Sequence, residues 1–184
     1  MTSAKLAIHG GTPVRTEPFG SMWVFGDEEK MHLMEVMDRA PKEWRKRFKV
    51  NEFANAFAER HDIEYAIPTD SGNGAVHTAV AAINPSPGDE VITTPISDVG
   101  TVLGIIAQNA IPIFADMDPD TFNISPEDIE RKITERTRAI LIVHLFGNPC
   151  DMDAIMDISR RHGIPVIEDC SQAHLAEYKG QLVG

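Results

Sequence analysis

From residue 64 onward the chain alternates between two hydrophobic rhythms. Short apolar runs stand at 64–69 (EYAIPT), 90–95 (EVITTP), 111–116 (IPIFAD), 138–147 (RAILIVHLFG) and 164–169 (IPVIED). Between them, at 75–83, 98–110, 125–134 and 151–163, apolar residues fall three and four apart, as with Val76, Ala79, Val80 and Ile83. Such runs read as buried strands and such spacing as amphipathic helices. The boundaries agree: PSPGD breaks the chain at 85–89, Ser125 caps a helix with Pro126 behind it, and Gly163 ends another. Strand and helix in strict alternation, with strands apolar throughout, predict an α/β fold: a mostly parallel sheet of five strands with helices on both faces and right-handed crossovers.

Upstream the pattern is looser. Residues 1–25 are punctuated by Gly and Pro and read as an extended arm. Residues 27–39 read as a helix with acids in its first turn and Arg39 near its end, and Met31, Met34 and Met37 read as core packing. Residues 51–60 read as a second helix with Asn51 as its cap and Phe53, Ala56 and Phe57 on one face. The division is therefore 1–50, arm and helix, and 51–184, the α/β region.

The charge narrows the range of partners. Seventeen Lys and Arg stand against 28 Asp and Glu, a net charge of −11. A phosphate backbone or an anionic membrane needs a basic face, so neither is expected as a partner. The basic run at 42–49, KEWRKRFK, is short and reads as a solvated helix end or an anion patch. No run approaches the ~20 apolar residues of a membrane span, and the N-terminus lacks an apolar signal region. Cys150 and Cys170 make no disulfide framework and read as small buried thiols. A reducing, cytoplasmic setting is expected.

In parallel α/β sheets ligands sit beyond the carboxyl ends of the strands. DSGNGAVH (70–77) leaves a strand and opens a helix there, with glycines that let backbone N–H groups approach an anion. By itself it reads rather as a tight strand-to-helix turn, since it has neither the P-loop lysine nor the dinucleotide spacing. Asp169 is the sharper candidate. A carboxylate ending an apolar strand caps a helix, pairs with an arginine or meets another positive partner, and no Lys or Arg lies between Glu168 and Lys179. A cationic ligand atom would serve, with the Gln172 amide beside it. There is no HxxxH or CxxC, so no metal site is expected, and Ser71 and Ser171 have no evident base.

These segments, in this order, carry a resemblance. NEFANAFAERHDIEYAIPTDSGNGAVHTAVAAI, PGDEVITTP, IPIFADMDPDTFNI, VHLFGNPCDMDAI and HGIPVIEDCSQAHLAEYKGQLVG closely resemble the DegT/DnrJ/EryC1/StrS sugar aminotransferases, and GGTPVRTEPF is similar to their start. The resemblance implies a fold-type-I enzyme that uses pyridoxal 5′-phosphate and transfers an amino group to a keto sugar or cyclitol ketone, with glutamate or glutamine as donor. It implies that Gly72, Asn73 and Gly74 bind the cofactor phosphate, that Asp169 pairs with the pyridine nitrogen, and that Gln172 reaches the phenolic oxygen. Residues 51–184 would then be part of that family's large domain.

Two departures stand out. Asp98 occupies the position where the family stacks an aromatic residue on the cofactor ring. It is either a residue at the cofactor or a helix cap pointing away. The family's Schiff-base lysine lies beyond YKGQLVG, and Lys179 matches an ordinary turn residue. A complementary polypeptide carrying that lysine, in a homo- or hetero-oligomer, is therefore expected, along with an unpaired sheet edge and an uncovered apolar face. Two further readings remain open on sequence. One is half of a sugar dehydratase working with the aminated cofactor, and the other is a non-catalytic structural or regulatory partner of a complete homologue.

Overall fold

The computed structural model describes residues 5–18, 20 and 24–184. The arm reading at 1–4, 19 and 21–23 lies outside the described residues. The chain divides into two compact units, Met1–Lys49 and Val50–Gly184.

The first unit holds helix α1, Asp27–Glu43. Asp27, Glu28 and Glu29 occupy its first turn, where carboxylates complement the helix dipole. Arg39 bridges Glu35 and Glu43, four residues to either side, and its guanidinium lies 3.8 Å from the Phe48 ring centre. Lys46 and Lys49 pair with Glu43 and Glu35, so acids answer part of the basic run. Met31, Met34 and Met37, expected in a core, are exposed, because no described residue covers that face of α1.

Helix α2 runs Phe48–Arg60, three residues earlier than expected, so Asn51 lies inside it and is not its cap. The second unit continues with α3 (Gly72–Ile83), β1 (Glu90–Thr93), α4 (Val99–Ile106), β2 (Ile111–Phe114) and α5 (Pro126–Lys132). Then come β3 (Thr137–Val143), α6 (Met152–His162), β4 (Val166–Asp169) and a hairpin of β5 (Glu177–Tyr178) and β6 (Gln181–Leu182). The first four strands form one parallel sheet in the order β2-β1-β3-β4. The expected parallel α/β architecture is what forms, with four strands in place of five.

The missing strand is 64–69. It runs without a ladder, its residues lining one side of an apolar groove of about 570 Å³ whose other wall includes Ile167 of β4. A strand exists only by hydrogen-bonding to a neighbour, and this segment finds none among the described residues.

Successive strand residues face opposite sides, and both sides are covered. Ile92, Ile140 and Ile142 pack with Ile129 and Ile155 of α5 and α6. Val91, Leu141 and Val143 pack with Val76 and Val80 of α3 and Ile105 of α4. Each fully buried aliphatic side chain contributes roughly 1.5–3 kcal/mol. Gly104 brings α3 and α4 together: a Cβ there would lie 2.7 Å from Val76 Cγ1 and 3.0 Å from the His77 backbone nitrogen. The expected caps form. Ser125 Oγ accepts from Asp128 N, and Gly163 takes the left-handed conformation after α6 (φ 65°). Among the described residues no helix is long and apolar enough to cross a membrane.

Candidate functional site

Register places the site. β3 pairs with β4 so that Val143 stands beside Asp169, at the carboxyl end of the sheet. Asp169 shares the parity of Ile167 and faces α3 and α4, whereas Glu168 faces the α5–α6 side. The adjacent acids therefore have different surroundings.

Asp169 is buried, 8% exposed. Its Oδ2 accepts from Thr101 Oγ1 at 2.9 Å, and its Oδ1 accepts from Ser171 N at 3.0 Å and Ser171 Oγ at 2.6 Å. Thr101 Oγ1 also lies 2.9 Å from Ser97 Oγ. Since the Thr101 hydroxyl donates to the carboxylate, Ser97 is the donor in that pair. No cation pairs with Asp169 among the described residues. In front of it opens a cavity of about 320 Å³ lined by Gly72, Asn73, Asp98, Thr101 and Gln172 among others. A buried carboxylate with three donors and no counter-charge is built to accept one more, positive, partner.

The start of α3 lines the same cavity. Ser71 caps it, accepting from Gly74 N at 3.1 Å. The Gly72 and Asn73 N–H groups have no intrahelical acceptor and are free for an anion. Gly74 serves the cap: a Cβ there would lie 2.8 Å from Asp70 Oδ1 and 3.2 Å from Ser71 Oγ. Asn73 lies over α4, its Oδ1 where a Cβ on Gly100 would stand only 1.8 Å away. Asp98 caps α4, its Oδ1 accepting from Gly100 N at 2.8 Å, so a carboxylate and no aromatic ring stands at this edge of the cavity.

Gln172 lies across the cavity, its Oε1 accepting from Phe146 N at 2.7 Å. All six residues singled out in the sequence, Gly72, Asn73, Gly74, Asp98, Asp169 and Gln172, thus lie at one end of the sheet. Thr101 and Asn123 escaped sequence reading, and Ser171 figures there only as a nucleophile lacking a base. Their importance comes from what they hold, and only chain folding brings those partners near.

On the opposite face His144 is fully buried and its Nε2 stands 3.0 Å from Glu168 Oε2. Its Nδ1 accepts from Cys150 N at 3.0 Å. Nδ1 therefore has no proton in the neutral ring, and Nε2 donates to Glu168. Burial pushes the Glu168 carboxyl up, but hydrogen bonds from His144 and Gly184 N outweigh it and hold the group below its usual range. The His144, Glu168 and Cys170 ligand atoms gather within 4.8 Å. Burial pushes the Cys170 thiol up to about 12, and the His144–Glu168 hydrogen bond ties β4 to the end of β3. Lys179 pairs with Asp153 and lines a different cavity.

A parallel α/β sheet with a fixed carboxylate, a helix start and an amide converging at its carboxyl edge is the layout of a small-molecule site. Comparison with known proteins agrees. The profile of the DegT/DnrJ/EryC1/StrS aminotransferase family matches residues 26–184, and the chain belongs to that family. It is 46% identical, over 72% of its length and 31% of the relative's, to L-glutamine:2-deoxy-scyllo-inosose aminotransferase of Streptomyces fradiae. Among solved structures it resembles the aminotransferase from Psychrobacter cryohalolentis, with a TM-score of 0.83 and 37% identity over 91% of this chain and 42% of that one. It also resembles NtdA from Bacillus subtilis with bound cofactor PMP, with a TM-score of 0.72 and 32% identity over 80% of this chain and 34% of that one. The chain spans less than half the length of these relatives.

Proposed function

We propose that this chain is the cofactor-holding N-terminal portion of an aminotransferase that uses pyridoxal 5′-phosphate and acts on a keto sugar or a cyclitol ketone. The observation that carries the reading is Asp169: buried, oriented by Thr101 and Ser171, without a counter-charge, and facing a cavity that Gly72, Asn73 and Gln172 also line. The donor set fits the cofactor. Asp169 accepts from the ring nitrogen and keeps its proton in place, since an adjacent negative charge favours the charged form. The Gly72 and Asn73 amides, with Gly74 shaping the turn, hold the phosphate. Gln172 meets the phenolic oxygen, and Asp98 borders the site. Bound there, the cofactor would supply an electron sink for amino-group transfer.

The amine that would carry the cofactor covalently is assigned to a segment outside the described residues, a reading supported by Lys179, the one lysine after Asp169, which lines a different cavity and pairs with Asp153. In the working enzyme a complementary segment supplies that lysine, within an oligomer and in a cytoplasmic setting. The name of the Streptomyces fradiae relative favours glutamine as amino donor and a cyclitol ketone as acceptor. Pyridoxamine 5′-phosphate binds without a lysine, so titration of the chain with it is the direct test. Saturable binding that weakens roughly ten- to hundredfold in Asp169→Asn, with unchanged folding, is expected for a lost charge-assisted hydrogen bond. A wild-type chain that does not bind it, or an Asp169→Asn variant that binds it equally well, would overturn the reading.

A further inference from the structure

The turn that follows β3 has no role in the reading above, yet it is held in a conformation that most residues avoid. Phe146 has φ 54° and ψ 24°, and Gly147 follows with φ 84°. A bulky residue in the left-handed region persists only where its surroundings over-determine it.

Asn123 supplies that constraint. It is buried, 4% exposed, in the segment before α5. Its Oδ1 accepts from Leu145 N at 3.1 Å, and its Nδ2 donates to Asn148 O at 2.9 Å and Pro149 O at 3.1 Å. One side chain thus clamps both limbs of the turn. Gly147 completes the fit, since a Cβ there would stand 3.3 Å from the Gln172 carbonyl oxygen. With the turn so fixed, the Phe146 N–H points out of it and donates to Gln172 Oε1 at 2.7 Å.

That bond settles which end of the Gln172 amide is which. A backbone N–H only donates, so the atom facing it is the oxygen, and the NH₂ group is the end left for a ligand. We infer that Asn123 and the Phe146 amide are positioning groups that make Gln172 a hydrogen-bond donor toward the cavity. This rests on the proposed function insofar as Gln172 faces the cofactor. The ligand group it selects is an acceptor oxygen, preferentially an anionic one such as a phenolate.

Glutamate at 172 separates polarity from shape. It still accepts from Phe146 N–H but presents an oxygen where the NH₂ group stood. The test is hydrogen exchange at the Phe146 amide in the cofactor-free chain, together with titration by pyridoxamine 5′-phosphate. Slow exchange at Phe146 is expected in the wild type and in Gln172→Glu, and at least about tenfold faster exchange in Gln172→Ala. Affinity should fall further in Gln172→Glu than in Gln172→Ala, by about tenfold or more, because like charges face each other. Asn123→Asp keeps the acceptor for Leu145 N–H but loses both donors, so it should speed exchange at Phe146; should that variant not fold, the Gln172 variants decide. A wild-type Phe146 amide exchanging at the rate of an open loop, or Gln172→Glu binding as tightly as wild type, overturns the inference. A wild-type chain that binds no pyridoxamine phosphate overturns the proposed function instead, and the exchange at Phe146 still judges the positioning.

Discussion

Glu168 and Asp169 are chemically alike and adjacent, yet one props the sheet from below and the other faces a cavity above it, because a strand turns successive side chains to opposite faces. A third acid shows what a paired carboxylate does for stability. Glu130 of α5 takes both Arg161 guanidinium nitrogens of α6, at 2.9 and 2.6 Å, and His162 at 2.7 Å. Arg161 first, then His162, holds its carboxyl down to about 2, against an ordinary 4.5. A group whose pKa is depressed on folding stabilises the fold above its unfolded value and loses that contribution as pH falls through the folded one. Glu130→Gln should therefore be less stable than wild type at pH 7, with the gap closing between about 4.5 and about 2. Urea unfolding across that pH range measures it, and a constant gap would refute the assignment.

At the scale of elements, α3 and α4 are coupled by an absent side chain. Gly104→Ala would drive a methyl into Val76 and the His77 backbone, so the helices must separate. A destabilisation of about 1–3 kcal/mol is expected, read as a lower Tm or urea midpoint. The start of α3 carries its own tension. The Asp70 carboxylate accepts from Ser71 Oγ at 3.2 Å and brings negative charge to the helix end proposed for a phosphate. Asp70→Asn should tighten pyridoxamine phosphate binding several-fold at low salt, with the gain shrinking as salt rises. Boundaries set by local chemistry, such as Ser125, Pro126 and Gly163, were legible in sequence because cap and capped group lie within one turn. The segment 64–69 was misread for the opposite reason: its composition suits a strand, but a ladder needs a neighbour that composition does not reveal.

For the molecule as a whole, the α/β architecture was readable because the central strands β1 and β3 are buried on both faces and α3, α4, α5 and α6 each bury one, leaving a single arrangement that covers them. The site was readable only in its contact groups. Asp169 and Gln172 stand at a strand end where a ligand is expected, whereas Thr101 lies 68 positions from the carboxylate it orients, and no local pattern marks it. The exposed surface is also informative. Val99, Leu103 and Ile106 line one side of α4 and remain 65%, 46% and 51% exposed. If the proposed oligomer forms through this face, replacing Leu103 and Ile106 together by lysine should lower the particle mass in light scattering while shifting stability by no more than about 0.5 kcal/mol each.

The buried imidazole under β4 offers a further use. Its Nε2 proton is shut away from water and shared with Glu168, one peptide unit from Asp169. Such a proton should resonate well downfield of the amide envelope in a proton NMR spectrum and persist there. Any charge arriving at Asp169 will move that line, which makes the protein its own label-free reporter of occupancy.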